Sequence, residues 1–189
     1  MKAARDAWRG KIPGLDADRL VFIDETWAST NMTRTRGRAP QGKRLVSAVP
    51  HGHWKTTTFI GALRIDGLTA PAVFDRPVNG EAFRAYVEQN LVKTLRPGDI
   101  VVMDNPGSHK VAGVREAIQA AGASAVYLPP YSPDFNPIEN VFSKFKRRLR
   151  RIGARTVRAL WRAVGDCLDS FAPDECRNDF RHCGYCTLK

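Results

Sequence analysis

Two short runs of purely apolar residues, Leu20–Val21–Phe22–Ile23 and Ile100–Val101–Val102–Met103, are each followed at once by an aspartate, Asp24 and Asp104. Runs this short, bounded by polar sequence, predict buried strands. Leu45–Val49, Thr57–Ile65 and Leu68–Phe74 also read as strands, the last two joined by an Asp66–Gly67 turn that signals a hairpin. Ala125–Leu128 is a further short strand. Helical spacing appears from Asn79–Gly80–Glu81 to about Leu95, with Phe83, Val87 and Leu91 on one face and Pro97–Gly98 as the stop. A second helix runs from about Lys110 to Ala121 and leads through Gly122 to the next strand. The tract Pro129–Pro130–Tyr131–Ser132–Pro133 excludes regular structure. Asn136 then reads as the cap of a third helix with Pro137 at its first position. Its buried stripe is Ile138, Val141, Phe142, Phe145, Leu149 and Ile152. Gly153 breaks or bends it, and helical segments continue to about residue 180.

Residues 1–18 form a charged, partly helical leader, and residues 26–44 a polar, basic loop without periodicity. The order is a strand, a β-meander, then helix–strand–helix–strand–helix. That order predicts an α/β fold with a sheet of mixed direction and helices over its faces. A chain of 189 residues with 43% hydrophobic and 26% charged residues fits one globular domain. It has no apolar run long enough for a membrane span and no signal-peptide pattern, so the expected location is the cytoplasm.

Charge narrows the class of partner. Thirty Lys and Arg against 19 Asp and Glu leave +11, an excess that points to a polyanion, most simply nucleic acid. From Lys144 to Arg162 there are nine basic residues and no acidic one. Lys144, Arg147, Arg148, Arg151 and Arg155 recur at helical spacing as a cationic stripe. Lys146 and Arg150 lie further along the Glu139 face, where they are placed to hold a phosphate. A solvated helix face gains from mixed charge, so a stripe this one-sided favours phosphate contact. Trp27, Trp54 and Trp161 read as packing residues rather than base-stacking ones, and His51 and His53 as surface residues. Cys167, Cys176, Cys183 and Cys186 lack the paired spacing of a zinc site and read as reduced thiols.

Asp24 and Asp104 follow separate strands, so both are placed at one sheet edge, where open α/β sheets bind their ligands. Glu139, in the first turn of the third helix, is placed to reach that edge. Each has a bland alternative. Asn136–Pro–Ile–Glu139 resembles a capping box, Asp104 suits an Asx-turn in Asp–Asn–Pro–Gly, and Glu25 competes with Asp24, although strand alternation points it the other way. Three carboxylates without His or Cys make an oxygen-only site suited to Mg²⁺ or Mn²⁺. Gly37–Arg–Ala–Pro–Gln–Gly42–Lys43 matches most of a phosphate-binding loop, but Arg44 stands where Ser or Thr is needed and no strand precedes it. Ser108–His109 lacks the elbow of a nucleophilic hydrolase.

Val21–Phe22–Ile23–Asp24–Glu25–Thr26, Met103–Asp104–Asn105 with His109, and Leu128–Pro–Pro–Tyr–Ser–Pro–Asp–Phe–Asn–Pro–Ile–Glu139–Asn140 together resemble a known family. It is the DDE transposases, in the bacterial insertion-sequence branch related to mariner. The 34 residues between Asp104 and Glu139 match that family's spacing, and Gly37-x-Ala39-Pro40-x-Gly42 and Arg181–His182–Cys183–Gly184–Tyr185 match further landmarks.

The resemblance implies an RNase H-like, retroviral-integrase-like catalytic domain over residues 19–152, with 153–189 as its helical C-terminal extension. It also implies Asp24, Asp104 and Glu139 as ligands of two Mg²⁺ or Mn²⁺ ions, with Asn105 and His109 in auxiliary roles. The activity implied is cut-and-paste transposition: cleavage at the element's ends, then attack of the freed 3′-hydroxyl on target DNA, commonly at TA. A dimer in the working complex, a nucleoid location and a helix-turn-helix segment encoded upstream follow from the same likeness. An RNase H-type nuclease without strand transfer and a non-catalytic DNA-binding remnant are the alternatives.

Overall fold

The computed structural model describes residues 1–104 and 111–186. Five strands form one sheet: β1 (Leu20–Ser29), β2 (Thr56–Arg64), β3 (Gly67–Phe74), β4 (Ile100–Met103) and β5 (Ser124–Tyr127). Their order is β3-β2-β1-β4-β5; β1, β4 and β5 run parallel, and β2 and β3 are antiparallel additions on the other side of β1. The mixed α/β sheet read from the sequence is therefore the observed one.

Alternation along β1 divides the core. Leu20, Phe22 and Ala28 enter one apolar cluster, and Val21 and Ile23 enter the other. The first cluster lies under α1 (Lys2–Lys11), α4 (Ile138–Ile152), α5 (Val157–Leu168) and α6 (Pro173–His182). The second lies under α2 (Gly80–Tyr86) and α3 (Val114–Ala120). Asn79 caps α2 by accepting a hydrogen bond from the Ala82 N–H at 2.9 Å. The helix expected to run on to Leu95 instead widens into a π-turn at Val87–Leu91 and tightens over Val92–Thr94, while Phe83, Val87 and Leu91 stay fully buried. In α4 the stripe Ile138, Val141, Phe142, Phe145 and Leu149 is buried as expected. Ile152 is instead exposed, because the last turn passes beyond the core before Gly153, at φ 64°, ends the helix.

Two strand expectations change. β1 continues six residues past Ile23, because Asp24 to Ser29 pair with β2 after β4 has ended. Leu45–Val49 forms no strand, and Leu45, Val46 and Val49 are exposed. An extended segment needs a neighbour for its backbone groups. The loop is tied at its neck, where the Thr30 N–H donates to Lys55 O and the Lys55 N–H to Thr30 Oγ1, and carries one turn from the Lys43 N–H to Pro40 O. That turn occupies the partial phosphate-loop sequence, and no helix follows it. His51 and His53 are exposed within the same loop.

Cys167, Cys176 and Cys183 pack into the first cluster as free thiols, and burial pushes Cys176 up to about 11 and Cys183 up to about 12. Among the described residues no helix is long and apolar enough to cross a membrane.

At the end of the sheet opposite the Asp24 edge, the Arg64 guanidinium is buried against Asp99 and also donates to Thr94 O at 2.9 Å. Burial alone would raise the Asp99 pKa; the Arg64 guanidinium and the Arg96 N–H outweigh it and hold the carboxyl below its ordinary value. A carboxyl depressed in the fold stabilises above its unfolded pKa and loses that contribution as pH falls through its folded pKa. Arg64→Ala strands the Asp99 charge and is expected to cost about 3–5 kcal/mol. Urea unfolding near neutral pH measures that loss, and the difference from the wild type is expected to shrink as the buffer is acidified, because protonation removes the stranded charge.

Candidate active site

The parallel ladder between β1 and β4 ends at Ile23↔Met103. Asp24 and Asp104 are the next residues on the two neighbouring strands, so they leave the parallel ladder at the same level. Asp24 is 6% exposed, held within β1 opposite Gly61 of β2. Gly61 sits at a register shift between β2 and β3, a device common beside functional sites. Asp24 is thus at the end of the parallel part of the sheet rather than at the end of its own strand.

The segment after β5 closes the site. The Leu128 N–H donates to Met103 O at 2.8 Å, and the Pro129–Pro130 pair then turns the chain away. Tyr131 adopts φ 53°, and a single 3₁₀ turn covers Pro133–Phe135. Asn136 is extended and 3% exposed. Its Nδ2 donates to Asp24 Oδ2 at 2.8 Å, while Asp24 Oδ1 accepts from the Glu25 N–H at 2.8 Å. The amide orientation is fixed by chemistry, since only the NH₂ can face a carboxylate. Among the described residues Asn136 Oδ1 is buried without a hydrogen-bond partner.

This corrects the expected helix cap. Pro137 is the residue that precedes α4, and no side chain caps that end. The capping-box alternative for Glu139 is not formed either: its backbone N–H donates to Asn136 O at 3.1 Å, and its carboxyl faces the pocket.

Asp24, Asp104, Asn136 and Glu139 line a single cavity of about 470 Å³, walled by Leu128 and the Pro129–Pro133 tract. The Glu139 side chain is exposed as a whole, but its carboxyl is partly withdrawn from water. That desolvation raises its pKa; the Lys146 ammonium opposes the rise and the Asp104 charge adds to it. Among the described residues no three His, Cys, Asp or Glu side chains are drawn together tightly enough to hold a metal ion.

Both ends of the described chain fasten the wall of this cavity. Arg5 of α1 grips Asp134 through two bonds of 2.8 and 2.7 Å, donates to Ser132 Oγ at 2.9 Å, and places its guanidinium 4.8 Å from the Phe135 ring centre. Trp8 Nε1 donates to the Tyr185 hydroxyl at 3.0 Å, which donates to Phe135 O at 2.7 Å. Nothing in the sequence assigned these roles to Arg5, Trp8 or Tyr185. The available signal was Trp8 itself, one large aromatic in an otherwise charged leader.

The cationic residues separate by position. Lys144 is paired with Glu175, donates to Ser170 O at 3.3 Å and lies over Phe171, so it anchors α6. Arg155 donates to Thr30 O and Met32 O at 3.2 and 2.7 Å and anchors the neck of the long loop. Lys146 faces the site, its ammonium 4.9 Å from the Trp27 ring centre. Burial lowers its pKa, opposed by Glu139, with Arg150 lowering it further and Asp24 raising it. Arg147, Arg148, Arg150 and Arg151 line open cavities beyond it. Trp27, Trp54 and Trp161 are exposed at 52%, 58% and 42%, so the packing expected of them falls instead to Trp8. Asn105 and His109 lie outside the described residues.

The DDE superfamily endonuclease family matches residues 19–160, and the chain belongs to that family. No curated relative matches it by sequence. Among solved structures it is similar to the Mos1 strand transfer complex, with 16% identity and a TM-score of 0.74 over 95% of this chain and 56% of that one. It is also similar to the catalytic domain of Mos1 mariner transposase, at 13% identity and TM-score 0.67, over 95% of this chain and 84% of that one. The Mos1 mariner paired end complex with Mn matches at 15% identity and TM-score 0.74, covering 95% and 57%. The chain thus spans little more than half the length of the transposase chains in those complexes, and its fold is the RNase H-like fold of their catalytic domain.

Removing the Asn136 amide frees the Asp24 carboxylate and severs the link between β1 and α4. Asn136→Ala is expected to cost about 1.5–3 kcal/mol, the range for a hydrogen bond to a charged group, read from denaturant midpoints. Glu139→Gln has the opposite sign. A carboxyl whose folded pKa is raised destabilises the fold once pH exceeds that pKa. The variant is therefore expected to melt above the wild type in metal-free buffer at neutral pH, and the difference is expected to vanish as the buffer is acidified.

Proposed function

We propose that this chain is the catalytic domain of a DNA transposase of the insertion-sequence branch related to mariner, with Asp24, Asp104 and Glu139 as its metal-binding catalytic residues. The observation that carries the reading is the meeting of these three carboxylates in one pocket of a DDE-family fold: Asp24 and Asp104 from adjacent parallel strands, Glu139 from α4. The donor set is all oxygen, which suits Mg²⁺ or Mn²⁺. Carboxylates clustered around one cavity are most stable in their charged form with a cation between them. Asp24, Asp104 and Glu139 would hold the two ions, which would supply activation of a water or 3′-hydroxyl and stabilisation of the leaving oxygen of a phosphodiester.

The protein's own part is placement. Asn136 orients the Asp24 carboxylate, and the Pro129–Pro133 wall held by Arg5 shapes the cavity. Lys146 offers a cation beside the carboxylates for a phosphate oxygen. Arg147, Arg148, Arg150 and Arg151 extend that cationic track for the DNA backbone, while Lys144 and Arg155 support it from behind. Asn105 and His109 belong to the same proposal as auxiliary residues next to Asp104. The expected substrates are the element's ends and a TA target. The expected working form is a dimer on DNA in the nucleoid, guided by a helix-turn-helix segment encoded upstream.

Supercoiled plasmid with Mn²⁺ tests the reading. Wild-type protein is expected to nick it, and Asp104→Asn and Glu139→Gln are expected to lose at least about a hundredfold in rate, as for removal of a group that stabilises the transition state. Nicking that survives both substitutions would remove these carboxylates from the mechanism. Joining of a labelled 3′-hydroxyl end to the plasmid separates a transposase from a nuclease without strand transfer.

A further inference from the structure

The loop after β1 brings Arg34, Arg36 and Arg38 against Arg147, Arg150 and Arg151 of α4 around an open cavity of about 770 Å³, with Thr35 as the remaining lining residue. Among the described residues none of the six guanidinium groups is ion-paired with a carboxylate. Asp166 lines a neighbouring cavity of about 400 Å³ with Arg34, Arg148 and Arg151. Six like charges held together by fold and loop call for a counter-anion, and the guanidinium fork matches phosphate oxygens in pairs. The cavity is far larger than one small anion, which favours a run of backbone phosphates.

The cage has a fixed relation to the pocket. Lys146 and Arg150 follow Glu139 by 7 and 11 residues on α4. At about 3.6 residues per turn these are two and three turns, so all three side chains lie on one helix face. At about 1.5 Å per residue, Arg150 stands roughly 16 Å along the axis from Glu139. One strand of duplex DNA advances about 3.4 Å per base pair, so that distance is about five base pairs.

We propose that the arginine cage is a second DNA-phosphate site, which grips the backbone about five base pairs from the phosphodiester seated in the carboxylate pocket, with α4 as the ruler between them. The spacing rests on the proposed nuclease site; the anion site stands on the cage itself. The cage sets a minimum length of duplex on one side of the cut. The loop 34–38 and α4 thereby act as one binding element, although more than a hundred residues separate them in sequence.

The test uses the full chain carrying Glu139→Gln, so that binding is read without cleavage, and labelled DNA hairpins with stems from about 4 to about 16 base pairs, chosen to fall short of or exceed the five-base-pair span. Fluorescence anisotropy is expected to show a step in affinity once the stem reaches both sites. Adding Arg36→Ala, Arg38→Ala and Arg150→Ala is expected to abolish that step. It is also expected to lower the slope of log affinity against log salt by about 2 to 3, the value for three lost phosphate contacts. A triple variant that keeps both the step and the slope overturns the proposal. So does displacement of the long hairpins by pyrophosphate at matched ionic strength, which would make the cage a small-anion site. Failure of the wild-type protein to nick plasmid would sink the nuclease reading alone, since the anisotropy series still decides the cage.

Discussion

The hydrogen bond from Asn136 to Asp24 is the constraint on which the site depends. It joins the central strand to the loop that launches α4, and so couples the position of a carboxylate on the sheet to that of one on a helix. A carboxylate buried at 6% exposure needs donors to stay charged. Asp24 finds one in its neighbour's backbone and one in Asn136. The consequence is visible at the helix start, where α4 has no side-chain cap: the amide turned to donate to Asp24 leaves its Oδ1 away from the helix N–H groups it would otherwise accept from.

Around that bond the molecule assembles its wall from distant parts of the chain. Arg5, Trp8 and Tyr185 all act on the stretch from Ser132 to Phe135. Proline-rich loops have few backbone donors of their own, so side chains from α1 and from beyond α6 supply the missing restraint. Tyr131, held at positive φ at the rim, shows how closely the path is dictated.

Charge is arranged along the same axis. The pocket is acidic, α4 carries cations away from it on one face, and the far end of that helix meets a second set from the loop after β1. Acid-lined pocket and arginine-lined track are each unfavourable alone. Together they describe a surface complementary to metal ions at one point and to a polyanion along its length. Not every cation of the basic run takes part: Lys144 and Arg155 hold protein to protein.

The sequence by itself determined the alternation of apolar runs, and with it the strands, the mixed α/β sheet and the two aspartates at one edge. Those features are local, since a short apolar run followed by Asp carries its own signal. The 34-residue interval and the Pro–Tyr–Ser–Pro and Asn–Pro–Ile–Glu tracts made the family legible for the same reason. Tertiary structure alone decided what Asn136 bonds, because its amide can accept from a helix N–H or donate to a carboxylate, and only the fold brings the Asp24 carboxylate within 2.8 Å. It decided that Leu45–Val49 stays unpaired, because a strand exists only where a neighbouring edge is free to receive it. It also decided which tryptophan is buried and which arginines of the loop meet those of α4. Those outcomes depend on surfaces made by residues far apart in the chain, and no local pattern records them.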